Sequence, residues 1–358
     1  MRLLFLGGAY GSILATKCAL AGHKVDIVCR AQEAANINSG NLVIHFPGDE
    51  ARSVGISGCQ TNMRGISVRH VEPSDYDICF LCMQEPQFAE DTIASLLLLL
   101  ESQSIPLISL MNMPLPPYLL GRLGIDLSAE QNIWKNTDLW SKLSPANFTA
   151  SSPDPQAVVE VSDEVTRVYV SLASNLKIAP FPHQQHQDRL KQLAIDVNDL
   201  RMTDADGTWC PGIKLVPHES PYVPLAKWPM LITGNFRCIE PAAAKTIRSA
   251  VWDDLERSRS IYEWVTELCR KLVVSTDQYC DLSKVLVPFG RYANAAQQLV
   301  YPSSIARGLL NNATEVERVD RLIQALARSL NTDDESLNSI VSLVDETLMA
   351  NRSLSAVR

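Results

Sequence analysis

The chain has no surplus of positive charge. Its 40 Asp and Glu residues outnumber 32 Lys and Arg, for a formal net charge of −8, and no basic cluster interrupts that balance. Nucleic acid is therefore not expected as a partner, because phosphate backbones are bound through clustered lysine and arginine. Long apolar runs are missing too. The longest, Ser95-Leu-Leu-Leu-Leu-Leu100, is far short of membrane-spanning length, so no membrane association is expected. The first strand lacks a basic flank, and glycines interrupt it before a signal-peptide core forms; a cytoplasmic location is expected. The six histidines supply no metal set. His183-Gln-Gln-His186 lacks convincing further ligands and reads as a solvated turn. Nine cysteines, odd in number and scattered, do not read as a disulfide framework. Cys79 and Cys82 form a CxxC, but inside an apolar run that reads as a strand, where residues three apart point to opposite faces. Reduced, buried thiols are expected there.

What is present is enough apolar residue, 46% of 358, for two domains with full cores. Residues 2–6 read as a buried strand. A helix follows from about Ser12 to Ala21, with Ile13, Leu14, Cys18 and Leu20 on one face, and Lys24–Cys29 reads as the next strand. Further strands are expected at 42–46, 77–83, 106–111, 167–172 and 175–179, and helices at 87–101, 134–143 and 184–200. Residues 112–155 and 201–224 read otherwise as loop. From 225 onward the pattern is helical, with segments at 225–240, 245–275, 291–300, 303–311, 314–330 and 333–350. The charged run Trp252–Arg259 reads as an exposed helix face. The fold class is thus α/β: an open, mostly parallel sheet followed by an all-α part. The division is placed at 1–220 and 221–358.

The stretch FLGGAYGS carries the first functional signal. Gly7, Gly8 and Gly11 fall where the first strand turns into the first helix. Such a turn lets backbone approach a pyrophosphate and aims free helix N–H groups at its charge. Set against the full G-x-G-x-x-G fingerprint of Rossmann domains, Gly8 and Gly11 are in register, Leu6 stands at the first glycine, and the turn reads as one residue short. Gly7, Gly8, Ala9, Tyr10 and Gly11 are the expected cofactor-binding turn. The tip of the second strand is Cys29-Arg30-Ala31-Gln32. No carboxylate stands there to take the ribose hydroxyls of NAD, and Arg30 can pair with a 2′-phosphate. NADP(H) is the expected cofactor.

Beyond this turn the sequence resembles the ketopantoate reductase (2-dehydropantoate 2-reductase) family, within the 6-phosphogluconate-dehydrogenase-like superfamily. The resemblance runs through most of the chain in order: the glycine turn with GHKVDIVCR, Asp75-Tyr-Asp-Ile-Cys-Phe-Leu-Cys82, Ile108-Ser-Leu-Met-Asn112, Lys227-Trp-Pro-Met-Leu-Ile-Thr-Gly-Asn235, Ser303-Ser304, and Thr314-Glu-Val-Glu317. It implies a Rossmann-type NADP-binding domain, a helical C-terminal domain for substrate and dimerisation, and a homodimer. It also implies reduction of a 2-keto acid to a 2-hydroxy acid with NADPH. Lys227 then matches the general acid and Glu315 the glutamate that engages lysine or the substrate hydroxyl. Asn112 matches the asparagine beside the nicotinamide, and Asn235 and Ser304 match substrate-binding residues. A lysine suits the task, since hydride addition to a ketone leaves charge on oxygen that an ammonium stabilises and then protonates.

Each residue also has a plainer reading. Lys227 is flanked by Leu225, Ala226, Trp228, Met230 and Leu231, and a helix-end lysine there can simply snorkel to solvent. Glu315 can be a solvated carboxylate, and Thr314-x-x-Glu317 a helix capping box. Departures from the family stand out. The residue after Asn112 is Met113 instead of glycine, the lysine of the cofactor-side loop is Met83, and the asparagine one turn after Lys227 is Leu231. These place the substrate in doubt more than the reaction. Two other functions stay open: reduction of a C=N bond, as in opine-type or imine reductases, and a non-catalytic NADP-binding sensor or scaffold.

Overall fold

Leu3, Leu4, Phe5 and Leu6 are all fully buried. A strand buried on both faces belongs in the middle of a parallel sheet covered on each side, and that is where it lies. The structure is a computed structural model that describes residues 1–46, 53–55, 62–130, 132–153, 156–172, 175–204, 207–241, 243–276 and 280–356. The chain forms two units. The first comprises Met1–Met83, Gln87–Arg122 and Asn136–Val223, and the second Gln84–Pro86, Leu123–Lys135 and Pro224–Arg358.

The strands of the first unit are, in chain order, β1 (Arg2–Leu6), β2 (Lys24–Val28), β3 (Leu42–His45), β4 (Ser53–Gly55), β5 (Met63–Ile66), β6 (Ile78–Leu81), β7 (Leu107–Ser109), β8 (Phe148–Pro153), β9 (Gln156–Val161), β10 (Thr166–Leu172), β11 (Leu176–Ile178), β12 (Met202–Asp204), β13 (Gly207–Trp209) and β14 (Leu215–Pro217). Its helices are α1 (Ala9–Leu20), α2 (Ala31–Asn38), α3 (Asp91–Ser102), α4 (Pro116–Leu123), α5 (Thr137–Ser141) and α6 (Gln184–Asn198). Among the described residues eight strands make the main sheet, in the order β14-β11-β8-β7-β6-β1-β2-β5. The pairs from β5 across to β8 are parallel; β8 and β11 run antiparallel. From β1 the chain winds outward to β2 and β5. It then returns to β6 on the other side of β1 and winds outward again to β7 and β8. The winding reverses between β1 and β6, the topological switch point of a doubly wound sheet. Phe5 and Phe80 face each other across that pair, their rings stacked with centroids 4.6 Å apart. Each is fully buried and worth about 1.5–3 kcal/mol of transfer free energy.

A second sheet, β4-β3-β10-β9, shares one core with the main sheet. Ile44, Val54, Val168 and Val170 join Leu3, Phe5, Leu14 and Leu193 in it. The loop from β13 to β14 is fastened to α1 by the fully buried Lys17, whose Nζ donates to the carbonyls of Pro211 (2.9 Å) and Ile213.

The second unit contains α7 (Trp228–Met230), α8 (Ile247–Trp252), α9 (Leu255–Ser275), α10 (Phe289–Ala296), α11 (Ser304–Leu310), α12 (Val319–Ser329) and α13 (Glu335–Ala356), with one two-residue pairing, Ile239–Glu240 against Ala243–Ala244. The helix expected over 245–275 is two, because Asp254 folds its side chain onto the N–H of Arg257 (2.9 Å) and caps α9. Along α9 the residues Ile261, Val265, Leu268 and Leu272 are buried at helical spacing.

Several expectations need correction. The helix placed at 314–330 begins at Val319 with Arg318 as its N-cap, so Thr314 and Glu317 do not form its capping box. The segments at 112–155 and 201–224 contain β8, β12, β13 and β14. His186 is no solvated turn: it is buried on α6 against Phe181, its Nε2 3.2 Å from Asn147 Oδ1. Cys79 and Cys82 are both buried free thiols, and burial pushes both thiol pKa values up. Among the described residues no His, Cys, Asp and Glu group is placed to hold a metal ion. None of the helices described is long and apolar enough to cross a membrane.

Candidate active site

Two residues, Gly7 and Gly8, join the end of β1 to the start of α1, and both have φ near +80°. Gly8 combines φ 81° with ψ 159°, a region that only glycine occupies without strain. The Gly7 N–H donates to Val28 O at 2.8 Å and locks the turn to the end of β2. The turn is also pressed against the residues after β6. A Cβ on Gly8 would lie 2.1 Å from the carbonyl oxygen of Cys82, one on Gly7 2.4 Å from Met83 Cγ, and one on Gly11 3.1 Å from Cys82 Cβ. Close packing and backbone conformation thus require glycine at Gly8, and Gly7 and Gly11 sit tightly against Met83 and Cys82. Met83, where the resemblance leads one to expect lysine, packs directly on the turn.

The start of α1 suits an anion. No side chain caps it, and no acidic residue stands in its first turn, so its first N–H groups keep their partial positive charge. Ala9 and Tyr10 open the helix, and their side chains lie outside the described set. Arg30 lies just past β2. It is exposed, it is the N-cap of α2, and its backbone N–H donates to Glu33 Oε2 at 3.2 Å. Cys29 beside it has its thiol pushed up to about 12 by burial. Asn112 follows β7 and is half-buried, next to the fully buried Met113. The Leu110 N–H donates to Leu81 O at 2.8 Å and carries the pairing toward that loop. The strands β2, β1, β6 and β7 are adjacent and parallel, and Gly7–Gly8, Arg30, Cys82–Met83 and Asn112 all follow their carboxyl ends. In open sheets that edge is where ligands bind.

In the second unit Lys227 ends a 3₁₀ turn, Val223–Lys227, and is half-buried between the buried Leu225, Ala226 and Trp228. After α7 the helix widens into a π turn over Leu231–Asn235, a distortion often found at functional sites. Gly234 makes room for Tyr292, whose hydroxyl would lie 2.1 Å from an added Cβ. The Asn235 carbonyl accepts from Ser303 Oγ at 2.7 Å. Ser303 caps α11, and Ser304 is its exposed first residue. The bond from Ser303 thus ties the start of α11 to the stretch that carries Lys227 and Asn235.

Glu315 is placed differently. It forms an ion pair with Lys135, a residue that carries no motif in the sequence. Both line a cavity of about 880 Å³, together with Trp134, Val316, Arg321 and Met349. Lys227, Asn235 and Ser304 are not among the described residues that line it. On the cavity wall Arg318 forks onto the fully buried Asp320, with bonds of 3.0 and 2.7 Å, and reaches Asp345 at 2.6 Å. Arg321 also holds Asp345, at 2.6 Å. Burial dominates Asp320 and raises its pKa against the guanidinium. Asp345 lies below the ordinary range, the two arginines outweighing its burial.

No protein-family profile and no curated protein matches the sequence. Solved structures do match it across nearly its whole length. A PanE/ApbA family ketopantoate reductase from Ralstonia eutropha JMP134 superposes with a TM-score of 0.64 at 15% identity, covering 98% of this chain and 100% of that one. D-mandelate dehydrogenase, solved with NADH and anilino(oxo)acetate, gives 0.64 at 13%, covering 98% and 100%. A 2-dehydropantoate 2-reductase from Methylococcus capsulatus gives 0.63 at 13%, covering 98% and 97%. The chain has the fold of the ketopantoate reductases, a fold that D-mandelate dehydrogenase shares.

Proposed function

We propose that the protein is an NADPH-dependent reductase of a 2-keto acid or a related ketone. The observation that carries this reading is the turn at the β1/β6 switch point: two glycines at positive φ leading into an uncapped helix. It lies in a fold whose solved members include keto-acid reductases and a dehydrogenase crystallised with NADH and an oxoacetate. The backbone N–H groups at the start of α1 would hold a pyrophosphate. Arg30 would take a 2′-phosphate, which favours NADP(H) over NAD(H).

When bound, the nicotinamide supplies the hydride. The rest falls to this chain. As hydride adds to the carbonyl carbon, the C=O π pair moves onto oxygen. The Lys227 ammonium stabilises that charge and gives up a proton to form the alcohol. Glu315 would engage the lysine or the new hydroxyl, as the resemblance implies, although the structure pairs it with Lys135. Asn235 and Ser304 would bind the substrate, and Asn112 would lie beside the nicotinamide.

The test is a screen of keto acids and ketones with NADPH, run on the wild type and on Lys227→Ala. Turnover that falls about 10²–10⁴-fold in the variant, the usual share of a general acid, supports the reading. Full activity in Lys227→Ala removes Lys227 from its role. Turnover that appears only when an amine is added moves the reaction to a C=N bond.

A further inference from the structure

We infer that Lys135 is a positioning residue for Glu315, an inference that rests on Glu315 having the role given above. The two residues are 180 positions apart in sequence, and each is fixed by its own backbone. On one side Ile133 and Trp134 are buried, and the backbone N–H of Lys135 donates to both carboxylate oxygens of Glu85 at 3.0 and 3.1 Å. Glu85 is itself 2% exposed. On the other side Val316 is buried, and the Thr314 carbonyl accepts from Arg352 Nε at 3.0 Å. Asn351 Nδ2 holds the carbonyls of Leu309 and Ala313, each at 2.9 Å. Two anchored stretches therefore bring the tips of Lys135 and Glu315 together on the wall of one cavity.

The pair is a weak candidate for stabilising the fold. The Lys135 side chain is 51% exposed and that of Glu315 35%, and exposed ion pairs contribute little. The buried Arg318–Asp320 pair does the structural work nearby. What Lys135 does provide is direction. A glutamate side chain has several rotamers, and a cation fixed on one side selects one of them. A carboxylate that must meet a substrate hydroxyl or an ammonium gains rate from such fixing, because misplacement of reacting groups is costly. Arg318 and Arg321 are committed to Asp320 and Asp345, and Arg352 donates its Nε to the Thr314 carbonyl, so among the described residues Lys135 is the cavity cation paired with Glu315.

The experiment has two arms on the full-length chain. In the first, a carbodiimide activates carboxyl groups of the wild type without substrate, and peptides are mapped by mass spectrometry. A neighbouring lysine amine then displaces the urea and forms an amide. A link between Lys135 and Glu315, lost in Lys135→Met and in Glu315→Gln, is expected. Its absence overturns the pairing, whatever reaction the protein catalyses. In the second arm phenylglyoxylate and ketopantoate are the probes, with NADPH. Lys135→Met is expected to lower kcat about ten-fold, with little change in KM and an unchanged melting midpoint. Lys135→Arg should recover most of the rate, and Lys135→Met/Glu315→Gln should be no slower than Glu315→Gln alone. A Lys135→Met enzyme within two-fold of wild type, beside a slow Glu315→Gln, overturns the positioning role. An active wild type whose rate ignores Glu315→Gln removes the reading of Glu315 and this inference with it. A wild type inert toward every probe does the same to both.

Discussion

At the amino edge of the main sheet the buried Asp26 gathers three partners. Arg64 binds it bidentately at 2.7 and 2.9 Å, Tyr76 donates its hydroxyl at 2.8 Å, and Arg2 reaches it at 3.2 Å. At the carboxyl edge of the same strands stand Gly7 and Gly8, an uncapped helix start and the exposed Arg30. One edge is closed by side chains that satisfy each other. The other is shaped by backbone and, among the described residues, leaves donors and a cation without such closure. The difference teaches where this sheet is built to hold together and where it is built to bind. It also yields opposed expectations for the two edges.

The largest effect is expected at the carboxyl edge. Gly8→Val places a Cβ against the Cys82 carbonyl in backbone that only glycine accepts. It should destabilise the protein by about 3 kcal/mol or more and abolish nucleotide binding, read by denaturant unfolding and by titration. Next comes Asp26→Asn, which should cost about 1–3 kcal/mol and leave nucleotide affinity unchanged. Burial alone would raise the Asp26 pKa, but its bonds from Arg64, Tyr76 and Arg2 bring it below the ordinary value. The stability this group adds is therefore present above about pH 4, the usual carboxylate value, and is lost as pH falls through its lower folded value. Unfolding measured from pH 7 down to pH 2 should show wild type and Asp26→Asn converging at the acid end. The smallest effect on stability is Arg30→Ala, within about 0.5 kcal/mol. It should weaken NADPH about ten- to a hundred-fold, the loss of charge-assisted bonds, and leave NADH untouched. A melting loss in Arg30→Ala, or an affinity loss in Asp26→Asn, would break the contrast between the edges.

The same contrast explains what could be read from the sequence. The β1-α1-β2 unit was legible because its signals are local: an apolar run, a glycine cluster and a 3.6-residue period lie within 30 residues. β8 was not. Phe148-Thr-Ala-Ser-Ser-Pro153 is fully buried, yet it looks like loop because its hydroxyls are satisfied by distant carbonyls, Thr149 by Ala179 and Ser151 by Ser109. His186 reads as a solvated turn in the sequence for a related reason, since its partners Phe181 and Asn147 come from other segments. In the second unit the motif carrying Lys227 and Asn235 was visible, but the π turn between them was not. Nor could spacing show that Lys135 would meet Glu315. Sites made by backbone can be read along the chain, whereas those made by side chains from distant segments need the fold.

The most direct test of the account is equilibrium titration of the wild type with NADPH and with NADH, followed by quenching of tryptophan fluorescence. Saturable NADPH binding that is tighter than NADH binding, with the difference erased in Arg30→Ala, is the predicted result. Failure to bind either nucleotide would contradict the assignment of the carboxyl edge as a cofactor site.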